Sequence, residues 1–316
     1  MLGTEAAVPA PIKERKKPLW LRMWKERWLY IFMLPGLAFF VIYKYVPMWG
    51  IIMAFQKYQP HAGLFGSEWV GLRHFERFFS EPEFWRLLRN TLYIAVLDLT
   101  IFFPLTIVLA LMLNELRIEL FKRTLQTLVY IPHFLSWVVV VGISYILLTT
   151  EGGIINELLV MFGGEKVQFL MSEGWFRPLI ILQMIWKDAG WGTIIFLAAL
   201  AGVNPSLYEA ARIDGANRWR LLWHITLPGI RSVIVILLIL RLGSFIDLGF
   251  EQIFLMVNAL NREVGEVFDT YVYYVGMQQG QFSYSAAVGL FKSVVGLVLV
   301  ITANWLAKKL GEEGVY

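Results

Sequence analysis

The residues most able to do chemistry in this sequence are ionisable side chains inside long apolar stretches. Lys44, Asp98, Lys187, Asp188, Arg241, Asp247 and Lys292 each stand in a run of aliphatic and aromatic residues. A charge at membrane depth costs a few kcal/mol on insertion scales, so such a group faces protein or a water-filled cavity. Two readings compete. In one, Lys187, Asp188, Arg241 and Lys292 line a path for a polar solute, and the cations among them suit an anionic one. In the other, the charges pair with one another or with a second subunit and hold a helix bundle together. Lys44 and Asp247 have a third option, snorkelling to the outer interface. Arg241 and Asp247 are six residues apart and point to different faces of a straight helix.

Other chemistry is excluded by what is missing. Cysteine is absent, so there is no disulfide framework and no thiolate nucleophile or ligand. His61, His74, His133 and His224 are scattered without metal-ligand spacing, and no metal site is expected. No G-x-x-x-x-G-K-[ST] run is present, so nothing in the chain cradles ATP phosphates as a P-loop does. No Ser-His-Asp, His-Glu-x-x-His or paired-carboxylate arrangement stands in a recognisable context. The chain is expected to catalyse nothing itself and to bind no cofactor; energy must come from another polypeptide.

The elements that position the charges are membrane spans. Of 316 residues, 58% are hydrophobic and 16% charged, against about 25% charged in soluble domains. Six apolar runs, at 29–46, 90–113, 125–148, 178–200, 228–248 and 285–306, each approach the ~20 residues that cross a bilayer as a helix. With the N-terminus inside, the inner segments carry 15 Lys and Arg and the outer ones 8, which orients both termini toward the cytoplasm. Pro104 and Pro132 are expected to kink their spans. No cleavable signal is read at the start, because the first apolar run is too long and lacks an A-x-A site. Residues 1–28 read as a cytoplasmic tail and interfacial helix: a small Ala/Pro-rich start, a basic cluster at 13–17, then Trp20, Trp24 and Trp28 at helical spacing. Residues 29–316 read as the membrane domain.

Three outer segments, 49–88, 149–177 and 249–284, are rich in aromatic and amide side chains, among them Trp69, Phe78, Phe84, Trp85, Tyr271, Tyr274 and Gln279. They are expected to hold short surface helices and to form a face that meets an external partner. Sugars stack on such aromatics; an interfacial aromatic belt is the competing reading.

A polar island at 204–228, NPSLYEAARIDGANRWRLLWHITLP, interrupts the apolar runs on the inner side. Asn204 is a good N-cap and Pro205 suits the first helical turn. Glu209 lies early in that helix, where the dipole favours an acid. Gly215 after Asp214 reads as the C-cap and bend. A second short helix is expected over 216–226, with Trp219, Leu222 and Trp223 on its apolar side, and Pro228 opens the next span. Glu209-Ala210-Ala211, Asp214-Gly215-Ala216 and the Ile225-x-Leu227-Pro228 ending resemble the EAA loop of ABC-importer permeases. In addition, MLPGLAFFVIYKYVPMWGIIMAFQKY, WVGLRHFERFF and the stretch from DTYVYYVG to the closing NWLAKKL are similar to the complex-oligosaccharide branch of that family, including alginate-type polyuronate importers.

The resemblance implies an all-α integral membrane protein, a six-helix permease of the type I importer kind. It implies a related permease as sister subunit, two ATPase subunits carrying ATP and magnesium, an extracytoplasmic solute-binding protein and an oligosaccharide cargo. Glu209, Ala210, Ala211, Asp214, Gly215, Ala216 and Pro228 would then couple the ATPase to the pore. Two other classes compete on the residues. An ion-coupled secondary carrier should show paired repeats and acids at the midplane; Asp98 and Asp188 are the available acids and no halves are evident. A membrane enzyme lacks its catalytic cluster.

Overall fold

The computed structural model describes residues 19–243, 249–309 and 311. The N-terminal basic cluster and Asp247 lie outside them. The chain divides into two compact units, Met1–Gly50 and Ile51–Tyr316.

In the first unit, α1 (Leu19–Lys25) stacks Trp20 on Trp24, ring centroids 5.9 Å apart. The Arg27 guanidinium covers the Trp24 and Trp28 rings at 5.4 and 5.6 Å. These exposed rings beside cations are an interfacial pattern. Next, α2 (Arg27–Phe55) is long and apolar enough to cross a bilayer. Lys44 is exposed, on the wide turn Val41–Tyr45 of that helix.

The second unit is built from α3 (Pro82–Asn114), α4 (Glu119–Phe134), α5 (Trp137–Leu148), α6 (Glu173–Ala201), α7 (Pro205–Ile213), α8 (Arg218–Gly229), α9 (Arg231–Gly243) and α10 (Phe282–Lys309). With α2, the helices α3, α6 and α10 meet the length and apolarity of a span; the bent pairs α4–α5 and α8–α9, counted as one span each, make six among the described residues. A two-stranded antiparallel hairpin, Gln56–Lys57 with Glu68–Trp69, adds the only strands among the described residues.

The third span is not the continuous run expected over 125–148. It breaks by 101° between α4 and α5. Pro132 has no N–H to donate and sits in a 3-10 turn, Ile131–Phe134. Leu135 then turns extended, and Ser136 caps the restarted helix by accepting from the Val139 N–H. Pro104 behaves oppositely. The helix runs through it unbroken because Asp98–Phe102, just before it, is a π-turn. The wider i→i+5 turn accommodates a ring that would collide with the carbonyl four residues back. The same device precedes Pro47, at Val41–Tyr45, and Pro228, at Leu222–Thr226.

Close backbone approach fixes α4 against α6. A Cβ added to Gly190 would lie 2.1 Å from the Val129 carbonyl oxygen, so only glycine fits. A core of Phe103, Ala110, Phe196, Leu200 and Ile230 joins α3, α6 and the bend before α9.

Candidate functional site

The polar island folds as an elbow. Asn204 caps α7 by accepting from the Ser206 N–H at 3.0 Å, and Pro205 occupies the first turn. The helix ends as a Schellman motif: Gly215 N–H donates to the Arg212 carbonyl at 3.1 Å and Ala216 N–H to the Ala211 carbonyl at 2.9 Å. Gly215 supplies the left-handed backbone this requires, at φ +78°. Asn217 then caps α8, accepting from the Arg220 N–H at 2.9 Å. The second limb therefore starts at Arg218, two residues later than expected, because Asn217 is a better cap than Ala216. Glu209 lies in the second turn of α7, and the first turn holds no acid. The helix dipole, which acts over the first turn, is thus not what places this carboxylate.

The limbs are braced at their base. Tyr208 Oη donates to Thr226 Oγ1 at 3.1 Å. A Cβ on Gly229 would meet the Val203 side chain at 3.0 Å, so the chain ends of the elbow pack tightly. The outer side is bare. Glu209, Ala210, Asp214 and Gly215 are exposed, Ala211 and Ala216 half-buried, Pro228 exposed, and Ile213 is 87% exposed. Trp219 and Trp223 are exposed on the apolar side read for them; Leu221 and Thr226 are the side chains that α8 buries. The elbow thus presents small residues, two carboxylates and an unburied isoleucine around a fixed bend.

The span charges fall into pairs. Arg241 makes a bidentate bond to Asp98, at 2.6 and 2.5 Å, and its guanidinium lies 4.8 Å from the Phe102 ring centre. Lys187, buried on α6, donates to the His133 carbonyl at 2.7 Å. That carbonyl sits at the break of the third span, where the helical ladder is interrupted and needs a donor. Asp188 accepts from or donates to His133 Nδ1 according to tautomer and protonation, at 2.8 Å, and lies 3.6 Å from the Lys187 ammonium. Trp191 stacks on the His133 ring, centroids 4.4 Å apart. Lys292 on α10 pairs with Asp269. Sequence reading had picked both members at 187–188 and both cations at 241 and 292. It missed His133 and Trp191 as their neighbours. A histidine one residue after a proline inside a span was the available signal.

The outer segments are more of a core than a docking face. Phe78, Phe84, Phe268, Tyr271 and Tyr284 bury one another, with Phe78 and Phe84 edge-to-face at 5.1 Å. Only part of the expected aromatic face is open, including Trp69 and Trp85. The reason is that Arg73–Ser80 and Phe268–Tyr273 pack against α10 and each needs an apolar side. Beside this core Glu266 is buried between Arg86, at 2.7 Å, and Arg262, at 3.1 Å. Burial pushes its carboxyl above the ordinary range, and the two guanidinium groups hold it down in part.

Residues 102–312 match the family described as binding-protein-dependent transport system inner membrane component. The chain belongs to that family. This inner-membrane permease is 62% identical over 304 residues to the polygalacturonan/rhamnogalacturonan transport system permease protein YteP of Bacillus subtilis (strain 168), covering 96% of this chain and 95% of that one. It is 55% identical to Protein LplB of the same organism, over 92% of each. Its fold matches a chain of a bacterial alginate ABC transporter, solved in complex with alginate pentasaccharide-bound periplasmic protein, at TM-score 0.87 and 39% identity, covering 94% of this chain and 99% of that one. The family is one of transport permeases, and the protein is a multi-pass membrane subunit of a binding-protein-dependent importer.

Proposed function

We propose that this permease forms half of the pore of an ATP-driven importer for acidic oligosaccharides, and that its elbow is the lever through which separate ATPase subunits work it. The sister half would be a related permease, the ATPases would hold ATP and magnesium, and an extracytoplasmic binding protein would deliver the sugar. Both termini and the elbow would face the cytoplasm of the inner membrane, following the Lys and Arg bias. The observation that carries the reading is the elbow: a bend fixed by Gly215 and braced at Tyr208–Thr226, with Glu209, Ala210 and Asp214 turned outward. Small side chains admit close contact, and a fixed bend transmits force without folding up.

Support for an acidic cargo comes from the similarity to a polygalacturonan/rhamnogalacturonan permease and to an alginate transporter. In this reading Lys187, Asp188, Arg241 and Lys292 stand beside the path. Lys187 acts there by holding the broken third span, while the half-buried Asp188 and Arg241 have surface left to meet solute.

The deciding experiment reverses one charge. With Glu209→Lys in the reconstituted importer, uptake should fall at least about tenfold, since a like-charge or lost contact at a docking surface costs more than ~1.4 kcal/mol. Membrane insertion and thermal stability should not change. Normal uptake by this variant would remove the elbow from the coupling path.

A further inference from the structure

A groove of ≈ 730 Å³ lies between the end of α3 with the turn after it and the inner flank of the elbow. Arg117 stands on the first wall, Arg212 and Arg218 on the second. Glu115 is the one carboxylate that lines it. None of the three arginines has a hydrogen-bond or ion-pair partner among the described residues. Six other arginines of the second unit, Arg77, Arg86, Arg89, Arg123, Arg241 and Arg262, each meet a carboxylate. Converging guanidinium groups left without anions in one concave place call for an anion from outside the chain.

The floor of the groove indicates which anion. Leu111, Leu221 and Leu222 line it beneath the charged rim. Its surroundings are those of a membrane surface. Ile118 and Leu120, next to Arg117, are 69% and 78% exposed, and the elbow's Trp219 and Trp223 are exposed beside Arg218. Indole rings favour headgroup depth, and basic pockets between membrane helices hold anionic headgroups. A free phosphate would use the arginines and leave the leucines wet. A phospholipid uses both, with its phosphodiester on the arginines and the start of its acyl chains over the leucines.

We propose that this groove holds one anionic phospholipid, wedged between the end of the second span and the elbow. The inference needs the groove to lie at a headgroup layer; it does not need the elbow to dock an ATPase. Occupation would stiffen the base of the elbow and make its movement depend on lipid charge.

The test uses the full-length chain with the subunits that purify with it, in nanodiscs containing phosphatidylcholine and a graded fraction of phosphatidylglycerol. Lipid retained after detergent exchange is identified by native mass spectrometry. Wild type should retain phosphatidylglycerol in preference to phosphatidylcholine. The R117Q/R212Q/R218Q variant should need about a hundredfold more for equal occupancy, about fivefold for each guanidinium near the surface. Glu115→Gln, which asks little of folding, should tighten retention by up to about fivefold through the same electrostatic effect. A lysine triple, R117K/R212K/R218K, should keep much of the binding. Arg220→Gln, outside the groove lining, should leave retention unchanged.

Equal loss in Arg220→Gln would mean diffuse surface charge and overturn the proposal. So would displacement of the lipid by glycerol phosphate at matched concentration, which would make the site one for a soluble anion. Unchanged retention in the glutamine triple, with loss of a co-purifying subunit instead, would assign the arginines to a protein contact and equally overturn it. Unchanged retention in Glu115→Gln would count the same way if the triple fails to fold.

Discussion

Gly215 offers the sharpest separation of lever from scaffold. Its backbone is left-handed, φ +78°, and a Cβ placed there would meet nothing within 4 Å. A substitution therefore costs backbone strain alone, about 1–2 kcal/mol for an L-residue, with asparagine at the tolerant end and a β-branched residue at the other. The two hydrogen bonds that close the bend, Gly215 to Arg212 and Ala216 to Ala211, contribute about 1 kcal/mol each. Strain from Gly215→Val is of the same size as what closes the bend, so valine should open it; Gly215→Asn should leave it closed. The bend is exposed and a Cβ at Gly215 would touch nothing, so neither variant should lower global stability by more than its local strain. Oligosaccharide uptake, ATPase rate and thermal unfolding of the reconstituted importer separate the effects. Gly215→Val should lose most uptake while insertion and unfolding temperature hold, and Gly215→Asn should keep at least half. Full uptake by the valine variant would refute the lever. Equal loss in both variants, tracking a fall in unfolding temperature, would refute the magnitude argument.

Further outcomes follow from the charges. Lys187→Met removes the donor of the His133 carbonyl and a counter-charge of Asp188. An unmet buried acceptor costs about 1–3 kcal/mol, so thermal unfolding in detergent should shift down measurably, and an unshifted curve would remove Lys187 from its bracing role. Asp98→Asn weakens the bidentate pair with Arg241. Breaking a buried pair costs about 3–5 kcal/mol, and the partial exposure of the guanidinium, 35%, lowers the expectation to about 2–3 kcal/mol. The double variant D98L/R241L should recover most of that; a double loss equal to the sum of the single ones would show that the pair has no cohesive role. Glu266 sets a pH dependence. Its carboxyl is raised by burial, so its contribution is fully present below the ordinary carboxylate range and is lost as pH rises through its own higher value. Hydrogen exchange of residues 262–268 should accelerate from acid to neutral pH by more than the chemical rate, and Glu266→Gln should abolish the excess.

The apolar runs made the spans legible because each is long and bounded by charge. What they could not reveal was where a span breaks. Pro104 and Pro132 look alike in sequence, yet one follows a π-turn and the other lies inside a 3-10 turn. The choice depends on neighbours: Lys187 satisfies the carbonyl that the break at Pro132 frees. The elbow was legible because its signals are local, Asn204, Pro205 and Gly215 acting on backbone within a few residues. Glu209 lies in the early turns where the spacing from Asn204 sets it, but beyond the first turn, so the helix dipole does not explain its place there. The partners of Asp98 and Lys187 were invisible, since Arg241 is 143 residues away from one and a backbone carbonyl has no residue type to flag it. The outer aromatics showed in composition, but alternation between buried Phe78 and exposed Phe79 is set by how short helices lie on α10.

The 101° break has a mechanical meaning. On its near side, α4 is locked to α6 by the bare backbone contact at Gly190 and by Lys187 gripping His133. Beyond it, α5 packs on Ile154–Met161 and Phe250–Met256 and is bonded to α6, Gln183 Nε2 donating to Ser144 Oγ. One apolar run in the sequence thus makes two helices, each tied to α6 by its own contacts, with Leu135 as the knuckle. In the proposed rocking half-pore, the third crossing would flex at this break without stretching any helix.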